Sequence, residues 1–181
     1  MKTMNEFLIV ASPPPPIMMY VSDCKQEIKK AIGHSYLSIF SKAHISLRTF
    51  IDYHTDSLLH LINPAVAKQR PFRVHVKDFG IFHHGVNRTI YLNTGPESFF
   101  YDLTDALRGK KITPHITIAR NLEPCDFQKA WPSLKDFSFS YDFICDRITV
   151  LKRIQGRWAF YLELPFGKDT SKKFHSNKPI L

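Results

Sequence analysis

Two short stretches of this 181-residue chain carry reactive side chains at a spacing with structural meaning: His44-Ile45-Ser46-Leu47 and His115-Ile116-Thr117-Ile118. In each, a histidine is followed two residues later by a hydroxyl, with aliphatic side chains between and after. Along a β-strand side chains alternate faces, so imidazole and hydroxyl share one face while the two aliphatic residues turn into a core. None of the other seven of the nine histidines has this pattern. Two such faces, one from each half of the chain, could cleave a phosphodiester without a metal. One neutral imidazole removes a proton from water or a sugar hydroxyl, and the other, protonated, gives one to the departing oxygen. An ordinary imidazole pKa of about 6.5 lets both forms exist near neutrality. Ser46 and Thr117 can donate to the non-bridging phosphate oxygens, and a nearby cation such as Arg120 would add charge-assisted bonds. Strict alternation puts Arg120 on the face away from His115, so its participation requires the strand to end or twist before it.

The remaining histidines read differently. There is no His-Glu-x-x-His and no Cys-x-x-Cys, and the adjacent His83 and His84 lie beside a turn glycine, so no metal site and no cofactor is expected. His34, His54, His60, His75 and His175 fit surface, helix or tail positions.

The elements that must position the two motifs follow from the patterning. "NEFLIVAS" reads as a buried strand stopped by the four prolines at 13–16, and "IMMYVSDCKQEIKKAIG" follows as a helix with Gly33 as its stop. "KAHISLRTFI" alternates like a strand, "HTDSLLHLINPAVAKQ" reads as a helix interrupted or ended near Pro64, and "FRVHVKDFGIFHH" and "RTIYLNT" are strands around a turn at Gly85. The order then recurs. "PESFFYDLTDALRG" reads as a helix from Pro96 to Gly109, followed by the strand "HITIAR" and a helix "CDFQKAWPSLK" that Pro132 must shorten or kink. Two or three strands follow, with a hairpin turn near Gln155-Gly156. The expected fold class is α+β, with helices outside antiparallel sheets and two similar halves. A single two-lobed domain is expected over residues 1–166, with a polar tail at 167–181.

Composition bounds the rest. A chain of this length with 44% hydrophobic residues supports one full core. The formal net charge of +9 is spread evenly, with 11 Lys/Arg against 6 Asp/Glu in residues 1–90 and 14 against 10 thereafter. Such a balance favours a polyanionic partner. Three widely spaced cysteines argue against a disulfide framework and for a reducing cytoplasm. No apolar run approaches the length of a membrane span, so no membrane association is expected, and the chain is taken as a monomer.

With both tetrapeptides placed, the chain resembles the two-histidine phosphoesterase superfamily, and within it the LigT-like group of 2'-5' RNA ligases and cyclic phosphodiesterases. Its hallmark is a pair of His-x-Ser/Thr-hydrophobic motifs. The second motif here also carries Pro114 before it and Arg120 after it, as in the family's Pro-His-x-Thr-hydrophobic-x-Arg pattern. The resemblance spans about residues 5–166 and implies a two-lobed, pseudo-symmetric fold with one motif per lobe. It implies that His44 and His115 are the acid/base pair, that Ser46 and Thr117 orient the phosphate, and that Arg120 contacts it. The implied substrate is an RNA terminus with a 2',3'-cyclic phosphate, with reverse 2'-5' ligation as the companion reaction; Lys152, Arg153 and Arg157 lean toward RNA. A small cyclic nucleotide such as ADP-ribose cyclic phosphate, or an RNA-binding module without turnover, are the alternatives.

Overall fold

The computed structural model describes residues 4–134 and 138–168; most of the expected polar tail lies outside them. Eight strands and four helices alternate as β1 (Asn5–Ala11), α1 (Pro15–Ile32), β2 (Ile45–Asp52), α2 (Thr55–Lys68), β3 (Phe72–His84), β4 (Asn87–Gly95), α3 (Glu97–Ala106), β5 (His115–Leu122), α4 (Pro124–Leu134), β6 (Ser140–Cys145), β7 (Arg147–Ile154) and β8 (Arg157–Pro165). The strands form one antiparallel sheet in the order β6-β3-β4-β5-β2-β1-β7-β8. At its middle, β2 and β5 share a single register pair, Ile45 with Ile116, and this seam divides the sheet into two four-stranded halves.

Local chemistry accounts for the elements. The prolines turn β1 into α1: Pro14 caps the helix, and Pro15 and Pro16 occupy its first turn, where a missing N–H costs nothing. The buried stripe of Ile17, Val21, Cys24, Ile28 and Ile32 holds α1 down. Gly33 ends it at φ 85°, its N–H bonded to the Lys29 carbonyl at 2.9 Å. Gln155 and Gly156, at φ 49° and 78°, make the tight turn between β7 and β8 that "QG" announced.

Three boundaries depart from expectation. The helix α2 runs through Pro64 to Lys68. An interior proline costs about 3 kcal/mol, but Leu58, Ile62 and Val66 are fully buried at roughly 1.5–3 kcal/mol each, which outweighs it. Likewise α4 continues past Pro132 for two residues to the buried Leu134. Conversely α3 stops at Ala106, short of Gly109. Arg108 takes the left-handed conformation (φ 52°), and the Gly109 N–H reaches back to the Thr104 carbonyl at 2.7 Å.

Helices cover one face of the sheet, and the pairing across the seam is crossed. The β2-β1-β7-β8 half is covered by α2 and α3, whereas α1 leaves its own strand and packs on α4 and β5 over the other half. The opposite face stays open at the seam.

Candidate active site

A row of fully buried side chains crosses the four central strands: Leu92 on β4, Ile116 on β5, Ile45 on β2 and Ala11 on β1, each 0% exposed and each register-paired with the next. This row fixes the site. Because neighbours along a strand point to opposite faces, sinking Ile45 and Ile116 among the helices raises His44, Ser46, His115 and Thr117 on the open face. Carrying the antiparallel register one residue either way from Ile45–Ile116 sets His44 beside Thr117 and Ser46 beside His115. Each imidazole therefore has the hydroxyl of the other motif next to it. The structure brings all four predicted residues together; the histidines and Thr117 are half-buried and Ser46 is exposed.

Both imidazoles are held the same way. His44 Nδ1 bonds the Lys42 carbonyl at 2.7 Å, and His115 Nδ1 bonds the Thr113 carbonyl at 2.7 Å. A carbonyl only accepts, so in each ring Nδ1 carries the proton. Nε2 is then left to accept or deliver a proton at the cleft. Burial pushes both pKa values below the ordinary imidazole value. For His44 the charges of Lys25 and His115 add to the depression, for His115 that of Arg120, and the anchoring carbonyls oppose it.

The same irregularity follows each motif. On β2, Ser46 faces Val10 and Arg48 faces Ile9, with Leu47 unpaired between them; on β5, Thr117 faces Tyr91 and Ala119 faces Ile90, with Ile118 unpaired between them. Each is a β-bulge at the fourth motif position, and bulges bend and twist a strand. The strands β2 and β5 share only the one register pair at the seam, where the two motifs meet, and beyond it each strand pairs with its other neighbour.

The bulge also settles Arg120. Strict alternation would have turned it away from His115. Instead Ile118 and Ala119 are both fully buried, the alternation slips by one residue, and Arg120 emerges exposed on the face of His115 and Thr117. In the first motif the residue after the bulge is Arg48, in the position of Ala119. It therefore points to the helix side, where its guanidinium donates to the Leu107 carbonyl.

Sequence reasoning missed two side chains around His115. The Phe82 ring meets the imidazole edge-on at 4.9 Å between centroids, and the Tyr91 ring does so at 5.3 Å; the two rings stack on each other at 4.0 Å. Gly80 makes room, since a Cβ there would collide with the Tyr91 ring. The spacing of Gly80, Phe82 and His84 along one strand face was the available signal.

The other half offers a different lining. Direct cross-strand partners share a face, so the pairs Val10–Ser46, Leu8–Leu151 and Leu151–Phe160 carry the open face out to β8. There Phe160 and Trp158 are 67% and 39% exposed, and the Arg153 guanidinium lies 5.7 Å from the Trp158 ring while pairing with Glu6 at 3.1 Å. Of the three cations singled out from sequence, Arg153 is thus on the cleft face. Lys152 is on the other, over the rings of Phe7 and Tyr161.

Comparison with known proteins agrees with this fold. A curated Oceanobacillus iheyensis protein, OB1230, named as a candidate phosphoesterase, is 25% identical over 167 residues, covering 84% of this chain and 98% of that one. The fold matches TT0787 of Thermus thermophilus (TM-score 0.68, 15% identity, 91% of this chain and 99% of that one). It also matches E. coli LigT complexed with 3'-AMP (TM-score 0.63, 12% identity, 91% and 99%). The family model of the 2'-5' RNA ligase superfamily matches residues 13–157, from the turn into α1 to the start of β8 and through both histidine motifs, and the chain belongs to that superfamily, the two-histidine phosphoesterases.

Proposed function

We propose that this phosphoesterase hydrolyses 2',3'-cyclic phosphate termini of RNA, with His44 and His115 as the acid/base pair. The observation that carries the reading is the shared anchoring of the two imidazoles, each with Nδ1 tied to a carbonyl two residues back and Nε2 available at the seam. One neutral Nε2 takes a proton from water as the water oxygen attacks phosphorus. The bond from phosphorus to one ribose oxygen breaks, and the second imidazole, protonated, supplies the proton that oxygen needs. The ring opens to a monoester, and the two histidines have exchanged protonation states. Ser46 and Thr117 donate to the non-bridging oxygens, and the Arg120 guanidinium offsets the charge gathering there. With a ribose 5'-hydroxyl in place of water as the nucleophile and the 3' oxygen as the group that leaves, the same steps form a 2'-5' linkage.

RNA is favoured over a free nucleotide by the exposed Trp158 and Phe160 beside Arg153, a stacking surface for bases beyond the terminal one. The small-nucleotide alternative draws support from the fold neighbour LigT, solved with 3'-AMP, ATP and NADP+. The free thiols Cys24, Cys125 and Cys145 suit a reducing cytoplasm, and the two motifs come from one chain, which suits a monomer.

The test is product analysis of a short RNA ending in a 2',3'-cyclic phosphate, incubated in EDTA with wild type and with His44→Ala/His115→Ala. Ring opening by wild type alone is expected, and the position of the new monophosphate names the bond attacked. Opening that stops in EDTA, or persists in the double variant, overturns the mechanism. Opening of a small cyclic nucleotide but not of the RNA selects the alternative substrate, and salt-sensitive RNA binding without turnover selects a binding module.

A further inference from the structure

Lys25 is 2% exposed and lies in the middle of α1, inside the apolar stripe that seats the helix. A buried ammonium needs all three of its protons bonded. Here they go to one short segment: the Ser38 carbonyl at 2.8 Å, the Ser41 carbonyl at 2.5 Å and the Ser41 hydroxyl at 2.9 Å. The same segment is folded on itself, with the Ser41 hydroxyl and Ser41 N–H both donating to the Ser38 carbonyl. It ends three residues before His44, at whose approach the Lys42 carbonyl anchors the imidazole.

Ser38 faces the other way. It is 5% exposed, and its hydroxyl donates to the Ile118 carbonyl at 3.2 Å while accepting the Arg120 N–H at 2.9 Å. Those two backbone groups flank the bulge of the second motif, where the β4–β5 ladder skips a residue. One serine thus satisfies both sides of the irregularity that turns Arg120 toward the cleft. Tyr36 adds a bond from its hydroxyl to the Lys25 carbonyl at 3.2 Å.

We propose that Lys25, Ser38 and Ser41 form a buried staple that keeps the two motifs in register, with Lys25 a positioning residue for His44 and, through Ser38, for Arg120. This rests on the reading that His44 and His115 carry the chemistry. A neutral side chain could fill the space but could not serve three oxygen acceptors at once, and only a cation there also acts on His44 through its charge. The charged groups acting on the two imidazoles are Lys25 from α1 and His115 from β5 on His44, and Arg120 from β5 on His115.

The experiment compares Lys25→Met and Ser38→Ala with wild type in the full chain, by histidine ring NMR titration and by steady-state turnover of the cyclic-phosphate RNA. In Lys25→Met the His44 titration midpoint is expected to rise by more than that of His115, which feels Lys25 only through Arg120, and kcat to fall on the order of 10²-fold with KM little changed. Ser38→Ala, which keeps the charge, is expected to lower kcat without moving the His44 midpoint. A folded Lys25→Met with wild-type kcat and an unmoved His44 midpoint overturns the proposal. If Lys25→Met fails to fold, Ser38→Ala decides, and wild-type kcat there overturns it. If wild type opens no cyclic phosphate, the catalytic reading fails separately, and the His44 midpoint in Lys25→Met still decides whether Lys25 acts on that ring.

Discussion

The first motif sits against a buried charge and the second against aromatic rings. His44 has Lys25 behind it, caged by serine oxygens, whereas His115 has the Phe82 and Tyr91 rings at its edges and Arg120 on its own face. What the two share is narrower: an Nδ1 anchor two residues back, a buried aliphatic residue at the seam and a bulge at the fourth position. The shared part is what proton transfer requires. The unshared part gives the open face a direction, because only the second motif turns a cation, Arg120, toward it.

The largest effects test the shared part. His44→Ala and His115→Ala should each lower kcat by ~10²–10⁴-fold, and the double variant should lose little more than the worse single, because both groups act in one step. Steady-state rates in EDTA check this, and a loss confined to one histidine would break the comparison. Next comes the contrast between the two arginines that follow the bulges. Arg120→Ala should cost about 10²-fold in kcat, as expected for a donor to transition-state charge, whereas Arg48→Ala, on the helix side, should leave kcat near wild type. Equal losses would mean that the slip in alternation does not sort them.

Phe82→Ala sharpens the aromatic side. Opening that wall to water should raise the His115 midpoint toward the ordinary imidazole value and leave that of His44 in place, with a stability loss of about 0.5–1.5 kcal/mol for the ring pair, read by NMR titration and denaturant unfolding. The smallest effect is on stability against pH. Both histidines bind protons less readily folded than unfolded, so the unfolded chain takes up more protons as pH falls. Their contribution is therefore complete above the unfolded pKa of about 6.5 and is lost as pH drops below it, by at most ~1.4 kcal/mol per pH unit for each. Unfolding midpoints between pH 7.5 and 5 should fall less steeply in the double alanine variant.

How much of this was legible in the sequence depended on the range of the interaction. The faces of His44, Ser46, His115 and Thr117 follow from a period of two, which any strand obeys, and the end of α1 follows from Gly33 alone. Arg120 did not follow, because Ile118 and Ala119 look like ordinary strand residues, and the pairing with β4 and the Ser38 hydroxyl determine the bulge. The helix through Pro64 is not legible locally, because the burial of Leu58, Ile62 and Val66 that outweighs the proline penalty is a property of the packed fold. Lys25 was hidden by its element: a lysine in an amphipathic helix is usually solvated, and the three acceptors that bury this one come from a loop 13 to 16 residues away. Phe82 and Tyr91 needed the β3–β4 register before either could be placed beside His115.

The crossed helix has a consequence for how such a protein comes into being. The strand β1 belongs to one half of the sheet, α1 to the cover of the other, and β7 and β8 return from the far end of the chain to close the first half. The strands β3 to β6 follow one another in sequence, but α1 in their cover precedes them and α3 between them covers the other half, whose own strands come from both sides of them. Neither half together with its helices is therefore one contiguous segment. The two halves must mature together, and a nascent chain leaving the ribosome carries both histidines before the strands that complete the first half have emerged.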